Sequence, residues 1–590
     1  MDHERKRYLA ATLAMASTCA FAATPPVRGD WTMAPGDYAN TRYSGLREIT
    51  RANVGKLSVA FTFSTGVNRG QEAAPIVAGD TMYIVAPFPN TVFALDLSKP
   101  GAPMKWKYQP TPEPAAQGVA CCDVVNRGGV FWEGKLIFNT LDGKTIALDA
   151  GTGKPLWTTR LGNIHIGETV TMAPMVVKDK VLVGNAGGEF GVRGWLAALD
   201  ADTGKVAWKA WSTGPDKDVL IGPGFKPHYA SDKGKDLGIA TWPPDAWKIG
   251  GGTVWGWISY DPELDLIYHG TANPGPWNAE QRPGDNKWTA GLFARDPDTG
   301  QARWFYQFTP HDLFDYDAVN ENILLTLPVG GKPRKVIARP ERNGFFYLLD
   351  RATGQVLSAD PFFPVNAITG IDLASGRPQY NPEKQPATGR TTRHVCPTSA
   401  GAKDWNPSAW SPRTGLVYIP HSNLCMDWEP VEVNYIAGTP YIGAETRMYA
   451  AKGGHRGTVT AWDPVKRKAA WTLREDLPVW SGALATAGDL VFYGTMDGWF
   501  KALDARTGKL LWRFKTDSGI IGQPVTYRGP DGHQYVAVLS GIGGWPGSVV
   551  VNNLDTRDKT GGGGWNNALP DLPQRTAPGG TLYVFAIPDR

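Results

Sequence analysis

The sequence predicts an all-β chain, an eight-bladed β-propeller with tryptophan docking motifs, and three observations predict it. A phrase of the form Ala-Leu-Asp-x-x-Thr-Gly-Lys, followed by a tryptophan, recurs along the chain. The 70 glycines and 47 prolines supply turns for many short strands. The 24 tryptophans among 590 residues, far above ordinary usage, supply flat faces that pack between sheets. Length alone suggests several domains, but a repeat at about 40 to 50 residues, or twice that, overrides it.

Taken in order, the chain begins with a basic run, Arg5-Lys6-Arg7. A short apolar stretch follows from Tyr8 to about Ala16, then Ala20-Phe21-Ala22-Ala23 before Thr24-Pro25-Pro26. This is the layout of a secretory signal peptide over residues 1–23, cleaved after Ala22 or Ala23, with an apolar part too short to span a bilayer. The remainder, 24–590, is expected to be one propeller domain in the periplasm, with no membrane span. Cys19 leaves with the signal and lacks the leucine that precedes a lipidated cysteine. Four cysteines remain of the five, an even number that suits an oxidising compartment. A hydrophobic content of 42% and a charged content of 20% are ordinary for soluble globular material. A net charge of +4 without a Lys/Arg cluster in the body of the chain argues against a nucleic-acid partner.

Seven copies of the phrase are visible. Asp96 with Trp106 carries an insertion. Ala147 to Trp157, Ala198 to Trp208, Ala294 to Trp304 and Ala502 to Trp512 are close copies, and Asp463 with Trp471 is looser. Leu349 to Gly354 has Ser358 where the tryptophan should stand. In each, alternating apolar residues make a strand, and the Asp can accept bonds from turn amides. Gly takes the positive φ, and the Trp can lie between neighbouring sheets. The eighth blade is expected to be shared by Leu582 to Ala586 and Leu57 to Phe63, closing the ring and removing its edges.

Repeats carry no chemistry. Glu72, placed to open an inner strand, reads alone as a rim carboxylate. Cys121 and Cys122 are adjacent, with Cα atoms about 3.8 Å apart across a trans peptide, so a bond between them is a strained ring; two thiols or separate partners are the alternatives. Cys396 and Cys425 can pair with each other. Glu189 sits in a glycine-rich turn (Gly184 to Gly191) where backbone can approach a ligand. Trp255, after Gly250 to Gly252, offers a flat floor for a planar cofactor or is one more packing tryptophan. Asn273 offers a neutral oxygen. His311-Asp312-Leu313-Phe314-Asp315-Tyr316-Asp317 holds three carboxylates, and in an extended segment Asp315 and Asp317 project to one side. Taken alone such a loop is a solvated turn. Together, Glu189, Asn273, Asp315 and Asp317 form an all-oxygen ligand set for a hard cation, and three negative charges favour a trivalent ion over calcium. No Cys-x-x-Cys-His, dinucleotide fingerprint or Gly-x-Ser-x-Gly occurs, so a redox enzyme built this way passes its electrons to a separate protein.

With these residues in hand, the whole mature chain resembles the soluble pyrroloquinoline-quinone (PQQ) alcohol dehydrogenases, most closely the lanthanide-dependent methanol dehydrogenases. The motifs that carry the resemblance are Cys121-Cys122-Asp123 with Arg127, Gly188-Glu189, Trp255-Gly256-Trp257 and Asn273-Pro274-Gly275-Pro276-Trp277. To these are added His311 through Asp317, Arg342-Asn343-Gly344 and Gly543-Gly544-Trp545-Pro546-Gly547. The resemblance implies that PQQ lies between a Cys121–Cys122 disulfide and Trp255. It places polar PQQ contacts on Glu72, Arg127, Thr171, Gly187, Gly188, Thr253, Arg342, Asp404 and Trp480. It implies metal ligation by Glu189, Asn273 and Asp315, with Asp317 the extra acid that separates lanthanide from calcium enzymes. Two positions depart from relatives: Ala186 replaces a serine, and Asp404 stands where an amide is common. The implied reaction is oxidation of a small primary alcohol, methanol foremost. Asp315 is then the general base, PQQ the hydride acceptor, and Arg342 the support for developing charge; a soluble cytochrome c takes the electrons. The same enzyme type using calcium, or preferring larger alcohols, is the nearer alternative. A non-catalytic propeller, like the outer-membrane assembly lipoproteins with this repeat, is the rival from another class. A homodimer is left open.

Overall fold

The repeated phrase folds as a turn closed by its own residues. In the computed structural model, which describes residues 29–588, Asp149 Oδ1 accepts the Thr152 N–H at 2.8 Å and the Thr152 hydroxyl at 2.7 Å. Gly153, at φ +72°, returns its N–H to Asp149 O at 2.8 Å. The following strand carries one extra residue, so Ala147 faces Trp157 and Leu148 faces Pro155. The same bulge recurs at the other copies, and each bulge adds twist to its sheet. The signal-peptide reading over 1–23, with Cys19, lies outside the described residues.

Among the described residues, seven sheets have four strands, and an eighth gains a fifth strand, Tyr43–Ser44, paired parallel to Leu484–Thr486. Most are runs of consecutive antiparallel strands; the first runs from Ile76–Ala78 to Met104–Tyr108. In one, Ser58–Ser64 near the N-terminus pairs with Thr581–Ala586 at the other end of the chain. First strands such as Met175–Val177 are buried along their length. Last strands such as Pro155–Arg160 alternate between exposed and half-buried residues.

Indole N–H groups join one sheet to the next. Trp106 donates to Ala150 O, Trp157 to Ala201 O, Trp208 to Pro297 O, Trp304 to Arg351 O and Trp471 to Ala505 O, all at 3.0–3.1 Å. Trp512 reaches Leu57 O at 3.0 Å. Except at Trp512, each ring lies on a turn glycine of the neighbouring sheet: a Cβ on Gly204 would stand 2.5 Å from the Trp157 ring. In the copy without tryptophan, Ser358 occupies the Trp register opposite Leu348. There Phe346 stacks on Trp462 of the next sheet, with ring centroids 5.6 Å apart.

This topology gathers the candidate residues at one end of the sheets. In an antiparallel sheet the entry to the first strand and the exit from the second lie at the same end. Arg127, Thr171, Trp255, Asp317, Asp404 and Trp480 all stand a few residues ahead of a first strand. Glu72 does not open its strand as expected; it precedes Ile76–Ala78 in an irregular segment. Glu189, Asn273 and Arg342 lie in loops after second strands, Lys180–Gly184, Leu266–Thr271 and Lys332–Pro340. No helix among the described residues is long and apolar enough to cross a membrane.

Candidate functional site

The acidic loop brings Asp315 and Asp317 together, but not by strand alternation. Residues 315–319 form no strand, and Asp315 is in the left-handed region at φ +65°. The extended segment expected from the sequence is therefore corrected: long-range partners set this loop. Asp312 Oδ2 accepts the Tyr316 N–H at 3.0 Å and pins the turn. Asp317 Oδ1 accepts the Asn273 N–H at 2.5 Å, and its Oδ2 pairs with Arg342 Nη1. Arg342 Nη2 stands 3.6 Å from Asp315 and 3.4 Å from Asp404. Glu189 lies in the helical turn Gly188–Phe190, flanked by left-handed Gly187 and Gly191, and its carbonyl accepts the Tyr441 N–H at 2.6 Å. A Cβ on Gly188 would stand 3.6 Å from both Asn273 Oδ1 and Thr253 Oγ1, so this turn abuts the Asn273 loop directly.

Above the acids is a cavity of about 460 Å³, bordered by Glu72, Cys121, Cys122, Arg127, Thr171, Gly187, Glu189, Trp255, Asp315, Asp317, Arg342, Asp404 and Trp480. Gly188, Thr253 and Asn273, expected at the site, are not among the residues that border it. Cys121 and Cys122 are joined to each other, with Cα atoms 3.8 Å apart, and Cys396 to Cys425. Cys121 is exposed at the mouth. Arg127 is sandwiched between the rings of Trp255 and Trp405, at 4.9 and 4.6 Å; it pairs with Glu72 at 3.0 Å and donates to Thr171 Oγ1 at 2.9 Å. Trp405 also borders the cavity, and its adjacency to Asp404 is its only signal in the sequence. Trp277 and Trp545, quoted in motifs but given no role, also border the cavity.

Burial and crowding dominate the electrostatics. Burial pushes Asp315 well above the ordinary carboxylate range; Arg342 opposes this, while Asp317 and Glu189 add to it. Asp317 is pushed up to about 7 by burial, against Arg342. Burial also raises Glu189 and lifts Glu72 to about 8 against the pull of Arg127. For Arg342 burial works downward, but Asp404, Asp317, Asp315 and Glu189 outweigh it and hold the guanidinium charged. Acids packed this way need a cation or protons. Two of the candidate ligand oxygens, Asn273 Oδ1 and Asp315 Oδ1, are buried without any hydrogen-bond partner. A hard cation would satisfy both, and the polar rim with its Trp and disulfide walls fits a planar, anionic cofactor.

The comparisons agree with this chemistry. The family model for the glucose/ethanol/alcohol dehydrogenase PQQ β-propeller domain matches residues 31–369 and 442–536. The lanthanide-dependent methanol dehydrogenase of Methylacidiphilum fumariolicum (strain SolV) is 52% identical over 565 residues, 95% of this chain and 92% of that one. Subunit 1 of the methanol dehydrogenase [cytochrome c] of Methylorubrum extorquens is 45% identical over 575 residues, 95% of this chain and 91% of its own. The solved structure of a europium-containing methanol dehydrogenase superposes with a TM-score of 0.93 at 52% identity, covering 95% of this chain and 98% of that one. The chain is therefore an enzyme and not a bare scaffold: it belongs to the PQQ-dependent alcohol dehydrogenase family of β-propellers.

Proposed function

We propose that this chain is a periplasmic, lanthanide-dependent dehydrogenase that oxidises methanol or other short primary alcohols to aldehydes and passes electrons to a soluble cytochrome c. Residues 1–23 are the signal peptide and 24–590 one propeller, its eight sheets of four or five strands serving as blades held by the tryptophan contacts. Glu189, Asn273, Asp315 and Asp317 hold the ion. Glu72, Arg127, Thr171, Gly187, Gly188, Thr253, Arg342, Asp404 and Trp480 hold the polar edge of PQQ, and the Cys121–Cys122 disulfide and Trp255 its faces. When bound, PQQ supplies the two-electron acceptor and the ion the Lewis acidity that polarises it.

The protein's own part is to orient and to move one proton. Asp315 takes the hydroxyl proton of the alcohol onto its carboxylate. Arg342, kept charged by its acidic neighbours, steadies negative charge opposite Asp315. Trp255, Trp277 and Trp545 line the cavity and limit water. The absence of a haem-attachment motif and the cytochrome c for which the Methylorubrum relative is named support an external cytochrome acceptor.

One observation carries the lanthanide reading: Asp317 accepts the Asn273 N–H, while Asn273 and Asp315 each keep a buried Oδ1 without a partner. The pairing of Asp317 with Arg342 favours a second reading. With that acid neutralised, Glu189 and Asp315 leave two negative charges, a set suited to calcium. Activity of PQQ-loaded enzyme in La³⁺ against Ca²⁺, in wild type and Asp317→Ala, separates the two. The expectation is a loss of about a hundredfold or more in La³⁺-supported turnover, on the order of 3 kcal/mol. Undiminished La³⁺ activity in the variant rules the lanthanide reading out.

A further inference from the structure

The loop carrying Asn273 and the loop carrying Asp315 and Asp317 are tied together by a side chain that no motif includes. Arg282 is 1% exposed. Its Nε donates to Pro276 O at 2.6 Å and its Nη2 to Asp312 O at 2.6 Å. Nη1 donates to Asn286 Oδ1 at 2.9 Å, and Asn286 returns a bond to the Arg282 carbonyl at 3.0 Å. Pro276 lies just beyond Asn273, and Asp312 just ahead of Asp315. At the other side the two loops meet through the Asn273 N–H to Asp317. Among the described residues, no carboxylate forms an ion pair with Arg282. Burial lowers it to about 10, with Asp312 the main opposing charge, so it stays a cation at neutral pH.

We propose that Arg282 is a positioning residue for the bound ion: its guanidinium fixes the spacing between the two ligand-bearing loops by holding the Pro276 and Asp312 carbonyls at once. The proposal rests on the ion-site reading above. A rigid planar fork holds two carbonyls at a fixed spacing, which a rotatable ammonium does not, and a charged donor strengthens both bonds. The sign of its charge separates geometry from electrostatics. A cation beside the acids repels a bound ion, so if Arg282 acted by charge alone, removing it would tighten binding. If it acts by spacing the loops, removing it loosens binding.

The test is Tb³⁺ titration of the mature full chain, read by tryptophan-sensitised luminescence, with lifetimes in H₂O and D₂O reporting coordinated water. Arg282→Lys keeps the charge and loses the fork; it is expected to weaken Tb³⁺ binding about tenfold or more and to admit water to the ion. Arg282→Met is expected to weaken it as well, and tighter binding there overturns the proposal. Asn286→Gly tolerates the left-handed backbone at that position (φ +53°); it unfastens Arg282 and otherwise gives up one long bond, Asn286 Nδ2 to Thr241 O at 3.5 Å. It is expected to shift affinity in the same direction. It also decides the matter if the arginine variants do not fold: unchanged affinity and hydration in Asn286→Gly overturn the proposal. Asp317→Ala is the control. If it abolishes Tb³⁺ binding while Arg282→Lys does not alter it, the positioning role fails and the ion site stands. If Asp317→Ala leaves binding untouched, the ion site itself fails.

Discussion

Arg342 and Asp317 show how much is decided by single side chains. Arg342 touches Asp317, Asp315 and Asp404 at once, so it both neutralises the acids and competes with a metal for them. An ion that takes Asp317 must exchange that contact. Titration at a second residue is open to direct measurement. His421 is buried with Nδ1 2.9 Å from Ser422 O and Nε2 2.9 Å from Thr460 Oγ1. A neutral ring, donating from Nδ1 and accepting at Nε2, satisfies both. Burial lowers this histidine to about 4, against about 6.5 unfolded. A depressed histidine leaves the unfolded chain holding more protons. Its contribution is therefore whole above pH 6.5 and is lost as the pH falls towards 4, by up to about 3 kcal/mol. Glu72, raised to about 8, works in the opposite sense, so the difference between wild type and His421→Asn isolates the histidine. Urea unfolding at pH 7 and at pH 4.5 is expected to show a smaller acid loss in the variant. Equal losses in both would contradict the assignment.

At the scale of elements, what the sequence disclosed was local and what it hid was long-range. The Asp149–Thr152–Gly153 turn was legible because its bonds close within a few residues. The loss of tryptophan at Ser358 was legible too, and its register confirms the position. The conformation of the loop at Asp315 was not, because partners far along the chain, Asn273 and Arg342, bend it away from an extended strand. Arg282 was invisible for a related reason: between Gln281 and Pro283 it reads as one more solvated loop arginine. Tryptophan contacts should differ in weight according to burial. Trp304 is 1% exposed and packs on Tyr268 of its own sheet and on the Gly354 turn of the next, whereas Trp106 is only half-buried. Trp304→Ala should cost about 3 to 5 kcal/mol and Trp106→Ala clearly less. Equal shifts in the urea midpoint would show that sheet contact, not burial, sets the cost.

At the scale of the whole molecule, an early strand and the last described strand meet. Ser58–Ser64 pairs with Thr581–Ala586, and Trp512 donates across to Leu57. This closure holds the sheets side by side, so that their entry and exit loops converge on one cavity. The proposed ligands come from loops of successive sheets: Glu189 follows Lys180–Gly184, Asn273 follows Leu266–Thr271, and Asp315 and Asp317 precede Ile323–Val329. Anomalous diffraction from crystals of the mature enzyme loaded with PQQ and Eu³⁺ tests that convergence most directly. The expected result is a single strong peak coordinated by oxygens of those four residues, with Arg342 withdrawn from Asp317. A peak elsewhere, or one that leaves Asp317 paired with Arg342, would contradict it.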